Sequence, residues 1–310
     1  VFSFADLLEP VTVVADPSRR LFWGAIVSSL LLASLATARQ RGEWNLRRQL
    51  SALFAREYWI TRETGEDLAL LFFNNAMRAL ILLPILGGHL AMTLVVGGIL
   101  QDHLGDAPDI VLPGLVIAGF YGLVFFLAED LSRFLLHKSM HNLPVLWRFH
   151  RLHHDTTTLT PLTIYRVHPI ESALYFGRAL VVFGLVSGAF IWFFGRQLTT
   201  FDVLGVGVAG FLFNLAGANL RHSHVWLSFG PLERWFISPS QHQLHHSKRH
   251  GHANLGTCLA VWDRASGTWL GAGPPQALQF GIAGELTDEF NATSQIRSAS
   301  HMISTSEGPS

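Results

Sequence analysis

What most constrains this chain is a set of apolar runs near the length a helix needs to cross a bilayer, about 20 residues. They fall at residues 21–37, 68–100, 110–128, 172–194 and 201–218. Backbone in lipid has no water to pair with, so a spanning run must satisfy its own hydrogen bonds and is predicted to be helical. The second run is too long for one straight span. Asn74, Asn75 and Arg78 divide it, leaving residues 79–100 as the span, with Pro84 as the expected kink. The first run lacks a small-residue cleavage site followed by a soluble domain, so it reads as a helix and not a signal peptide. Composition agrees: 49% of the 310 residues are hydrophobic, only 14% are charged, and mean hydropathy is +0.32. Net charge is zero, which excludes a bulk electrostatic case for a nucleic-acid partner.

Lys and Arg mark the cytoplasmic side of spanning proteins. Arg39, Arg41, Arg47, Arg48, Arg56 and Arg62 lie between the first two runs, whereas loop 101–109 has three Asp and no Lys or Arg. Arg133, Lys138, Arg148, Arg151 and Arg166 follow the third run, and Arg221, Arg234, Lys248 and Arg249 follow the fifth. A single crossing by the second run keeps all these basic segments on one face; a hairpin there would invert everything downstream. The expected fold is therefore all-α: an integral membrane helical bundle of about four to five transmembrane helices, with a cytoplasmic His-rich helical cap. Residues 1–65 are expected to form an N-terminal helix and basic cytoplasmic segment, 66–283 the membrane domain, and 284–310 a disordered polar tail, the change in character beginning at Gly273.

The chain holds 16 histidines, and 13 of them lie between His137 and His252. Cys258 is the single cysteine, so neither an intrachain disulfide nor a CxxC metal site can form. One block reads His137-Lys-Ser-Met-His141, then His150-Arg-Leu-His153-His154; the other holds His222-Ser-His224, then His242-Gln-Leu-His245-His246. Residues three and four apart share a helix face. Adjacent ones differ by about 100°, so the two members of an HH pair can serve two neighbouring metals. A lone HxxxH is more often surface or core histidine than ligand. Two HxxHH units and an HxxxH on one side of a membrane are hard to explain by packing, because neutral imidazoles gain little by clustering and charged ones repel. His89 in the second run and His103 in the outer loop read as structural, His250 and His252 as second-layer or solvated, and His301 as irrelevant. Imidazole suits Zn, Cu, Fe and Ni, and spacing alone does not choose among them. A metal transporter would place ligands within the spans. A zinc-dependent hydrolase remains open, although no HExxH is present.

These motifs resemble the fatty acid hydroxylase and sterol desaturase superfamily of integral-membrane di-iron oxygenases. The stretch from Leu146 to His154, LWRFHRLHH, resembles its LWRFHxxHH; Arg166-Val-His168-Pro169-Ile-Glu171 resembles RxHPxE. Trp262-Asp263-Arg264-Ala-Ser266-Gly267-Thr268 resembles WDRLFGT, and Asp130 stands seven residues before His137, as the family's aspartate does. Phe134, Lys138 and Ser266 depart from the usual Tyr, Arg and Phe. The likeness covers about residues 66–283. It implies metal ligands at His137, His141, His150, His153, His154, His222, His242, His245 and His246, with His168 as a further ligand or outer-layer partner. Asp130, Asp155, Glu171 and His224 are implied supports for the ligating rings. The resemblance further implies two iron ions per chain, O2 as co-substrate, and hydroxylation or desaturation at an unactivated C–H bond of a sterol, fatty acyl, carotenoid or related lipid. No haem, flavin or iron–sulfur motif is visible, so an external electron donor is implied, a ferredoxin or a cytochrome b5 type with its reductase.

Overall fold

The structure is a computed structural model that describes residues 15, 20, 22–42, 44–195 and 206–282. Among these it is helical, with only the isolated bridges Phe236–Leu259 and Ser247–Phe280. The helices are α1 (Trp23–Arg41), α2 (Leu46–Leu53), α3 (Arg62–Met77), α4 (His89–Leu104), α5 (Gly114–Asn142), α6 (Pro144–His154), α7 (Pro169–Phe194), α8 (Val206–Leu215), α9 (Pro239–His246) and α10 (Val261–Ser266). Among the described residues, three stretches are long and apolar enough to cross a membrane: Arg62–Leu104, Gly114–Asn142 and Pro169–Phe194. They contain the second and fourth expected spans and all of the third except residues 110–113. The first expected span is the 19-residue helix α1, which turns Trp23, Val27, Leu31 and Leu35 outward and packs Ala33 and Ala36 against Leu220 and Val225. The fifth falls partly on residues outside those described, as do the expected tail at 284–310 and most of the first twenty residues.

Side-chain contacts fix the directions of the long helices. Along α4 and α7, His89 stacks on Phe183, Gly97 approaches Gly188, and Trp192 Nε1 donates to Gly105 O at 3.1 Å, so the two run parallel. Along α5 and α7, Tyr121 meets Ser187 at 2.7 Å and Glu129 meets Arg178 at 2.8 Å, so they run antiparallel. The stretch 62–104 therefore runs in one direction and forms no hairpin. It is bent where Pro84 cannot donate to the preceding turn: residues Arg78–Leu82 widen into a π turn, and the helix breaks at Gly87, whose φ of +73° suits only glycine. Tyr121, Ile117, Phe190 and Phe194 form a buried cluster between α5 and α7. Lipid tails are as apolar as these side chains, so packing and buried pairs such as Tyr121–Ser187, worth about 0.6 kcal/mol each, hold the helices together.

The directions bring the C-terminal end of α5, the N-terminal ends of α3 and α7, and all of α6 to one end of the bundle. Arg166 locks that end, its guanidinium meeting Asp155 at 2.8 Å, Glu66 at 2.8 Å and Asp67 at 3.1 Å. Residues 218–282 cover it as a cap. Residues 273–282, where the change in character begins, belong to the cap. Lys248 N donates to Gln279 O, and Leu278 packs on a cluster of Trp226, Leu244 and Ala272.

Candidate metal centre

Three helices and one loop bring nine histidines together beneath the cap. The last turns of α5 carry His137 and His141, and α6 carries His150, His153 and His154. His222 ends the 3-10 turn Ala218–Arg221. His242, His245 and His246 sit on α9, whose start is fixed by a capping box in which Ser238 and Gln241 satisfy each other's backbone N–H. The first group is His137, His141, His150, His154 and His245; the second is His153, His222, His242 and His246. All nine are buried, and within each group one nitrogen per ring lies within 4.8 Å of the others. Each HxxHH unit is divided. Its i, i+4 pair stays in one group and its i+3 member crosses to the other, as the 100° step predicts. His154 and His246 stack across the boundary, their centroids 4.4 Å apart.

The protons on these rings can be placed. His137 Nδ1 meets Leu255 O at 2.7 Å, His245 Nδ1 meets Ala253 O at 2.9 Å, and His153 Nδ1 meets Arg166 O at 3.3 Å. A carbonyl only accepts, so Nδ1 carries the proton in each and Nε2 is left as a bare lone pair. Glu171 Oε1 fixes His150 in the same way at 2.8 Å. In the first group, His137 Nε2 then faces His150 Nε2 at 3.1 Å and His245 Nε2 at 3.2 Å, with no proton to share. Lone pairs so placed repel unless a cation lies between them. A cation about 2.1 Å from each of two nitrogens set at a right angle holds them about 3.0 Å apart. The second group has the same spacing, 3.0 Å for His222–His246 and 3.1 Å for His222–His242. His141 Nε2 and His246 Nδ1 are buried without a hydrogen-bond partner. The residues therefore fit two cations, bound by imidazole without thiolate or carboxylate.

Electrostatics keep the rings neutral and ready to ligate. Burial pushes His150 and His153 down to about 3. His154, His222, His242, His245 and His246 are held well below the ordinary histidine value, by burial first and by neighbouring cationic or imidazole groups second. The outer nitrogen of His242 differs from the rest: it faces Arg221 Nη2 at 2.9 Å, a group that only donates. Arg221 is itself buried and bonded to Gly256 O and Thr257 O, and burial lowers its pKa to about 10.

The remaining expected positions lie elsewhere. His168 is not brought to either group; it caps α7, its Nδ1 accepting from Ile170 N at 3.1 Å, and its ring rests on Phe149. His224 is exposed and packs edge-on against Tyr58 at 4.5 Å. Asp130 touches no ligand and accepts from Cys258 N, Leu259 N and Trp262 Nε1 at 2.9–3.0 Å. Asp155 acts at one remove, through Arg166, whose carbonyl holds His153. Only Glu171 of the proposed carboxylates contacts a ring of either group. Sequence reasoning missed Arg221 and the carbonyls of Ala253 and Leu255, since a backbone acceptor leaves no mark on residue type.

A sequence profile of the fatty acid hydroxylase family matches residues 122–268, which contain all nine histidines. An ornithine lipid hydroxylase of Rhizobium tropici is 31% identical over 185 residues, covering 59% of this chain and 48% of that protein. Alkylglycerol monooxygenases of Homo sapiens and Danio rerio are each 26% identical, over 46% of this chain and 29% of theirs. The chain thus spans less than half the length of these relatives. No solved structure matches it.

Proposed function

We propose that this chain, whose residues 122–268 match the fatty acid hydroxylase family profile, is an O2-dependent oxidoreductase that binds two iron ions and hydroxylates an unactivated C–H bond of a membrane lipid. The observation that carries this reading is the pair of all-histidine groups joined through His153–His154 and His245–His246. Bound there, a pair of iron ions supplies the redox capacity to activate O2 and attack an alkyl chain, which no side chain provides. His137, His141, His150, His154 and His245 would hold one ion, and His153, His222, His242 and His246 the other. Glu171 and the carbonyls of Leu255, Ala253 and Arg166 keep the ring protons outward, so that the inward nitrogens are free to ligate. The cap and Trp147, whose ring lies 5.2 Å from His141 and 5.6 Å from His154, exclude water from the first group.

The names of the relatives favour hydroxylation over desaturation, and a polar-headed lipid over a sterol or carotenoid. Residues 66–283 would form the catalytic unit, its histidine end at the cytoplasmic face as the loop charges indicate. Electrons would come from a ferredoxin or from a cytochrome b5 type with its reductase. The test is purified protein in lipid nanodiscs, supplied with such a donor, native lipid extract and 18O2. About two irons per chain by elemental analysis and one 18O in a lipid product are expected. Protein that holds no iron, or that transfers no labelled oxygen, refutes the reading.

A further inference from the structure

The cap carries an apolar patch that none of the described residues covers. Leu232 is 59% exposed, Trp235 59% and Phe236 44%, and Val261 and Trp269 stand open beside them. The patch is one surface. Phe236 bridges to Leu259, Ala260 N donates to Trp235 O, and Trp269 Nε1 donates to Glu233 O. Its charges are sorted. Glu233 and Asp263 are buried and spend their oxygens on Ser228, Ser238, Ala272 N, Leu255 N, Gly256 N and Thr268. Arg234 and Arg264 remain exposed, Arg264 lying over the Trp235 ring at 5.9 Å. An exposed Trp–Phe–Leu surface edged only by arginines has the composition of a segment that lies in the bilayer interface.

Depth distinguishes this surface from an ordinary sticky patch. Asp130 anchors the segment through Cys258 N, Leu259 N and Trp262 Nε1. On α5, Glu129 and Asp130 are the first charged residues after the apolar run that starts the helix. Gly114 to Asp130 is about 24 Å along the axis at 1.5 Å per residue, close to the thickness of a hydrocarbon core. Asp130 therefore marks the membrane boundary, and the patch tied to it sits at that level. His137 lies seven residues, or about 10 Å, farther out. We propose that Leu232, Trp235, Phe236 and Val261 dip into the bilayer interface, with Arg234 and Arg264 meeting lipid phosphates, so that the cap rests on the membrane. This holds whatever reaction the histidines support.

The test is depth measurement on the full-length, iron-loaded chain in nanodiscs, with Cys258→Ser removing the chain's only cysteine. A nitroxide is placed at Trp235→Cys, at Leu232→Cys as a second reporter should the first disturb folding, and at Arg249→Cys as a water-facing reference. Iron content equal to the parent shows that the fold is kept. Labels at 232 and 235 should relax more with O2 than with a water-soluble nickel complex, in the opposite sense to the label at 249. Nickel accessibility equal to that at 249 overturns the proposal. Protection from both reagents, with a short label-to-label distance between chains, also overturns it and puts a second copy on the patch.

Discussion

A buried imidazole whose outer nitrogen is already committed has one lone pair left, and here that lone pair points at others like it. Glu171 holds His150 with a carboxyl oxygen, whereas His137 and His245 are held by backbone carbonyls. Glu171→Gln keeps an acceptor but replaces the carboxyl with an amide, and should cost about 10–100-fold in iron affinity or turnover. Iron titration of the variant against the parent reads this directly. His153→Ala removes one of four rings from the second group and none from the first, so one ion should remain bound while lipid oxidation is lost; iron analysis beside a product assay checks both. Asp130 serves three donors at once, so Asp130→Asn turns one acceptor into a donor and should destabilise the fold by about 1–3 kcal/mol, read as a lowered Tm. At this scale the sequence was informative because both groups are built from histidines, and clustered histidines announce themselves. His168 and His224 show the limit: a cap and a ring contact use the same residue type as a ligand, and only position separates them.

Helix spacing decides which histidine serves which group, and close packing decides where the helices run. Gly184 and Gly188 sit one turn apart on α7, where a Cβ at Gly188 would come 2.6 Å from Val96 Cβ and one at Gly184 would strike Met92. This small-xxx-small face lets α4 and α7 lie side by side in parallel. Gly188→Leu should pry the pair apart at a cost of about 1–3 kcal/mol, seen as a lowered Tm in detergent. The hydropathy of the run predicts a helix but is silent about which neighbour it meets, and the glycine pair carries that information. Pro84 was legible as a bend. That the bend would take the form of a π turn followed by a break at Gly87 depends on packing against α7.

Across the whole molecule, burial of so many neutral histidines sets a pH dependence. A histidine whose folded value lies below its unfolded value, about 6.5, binds fewer protons when folded, so stability falls as pH drops below that value. With His150 and His153 near 3, the metal-free protein should hold its Tm above about pH 6.5 and lose it progressively below that value, and thermal melts in chelator across this range check the trend. The loop charges imply that α4 and α7 run parallel with α5 antiparallel to them, and the contacts between these helices agree. The interlocked boxes carry a consequence for biosynthesis. A nascent chain that has passed His154 but not His222 owns four of five rings of the first group and one of four of the second. Neither is complete until α9 has left the ribosome. A metal bound there would then have to be delivered to a chain whose three long helices are already made, and a message truncated before the codon for His242 would yield a chain with neither group complete.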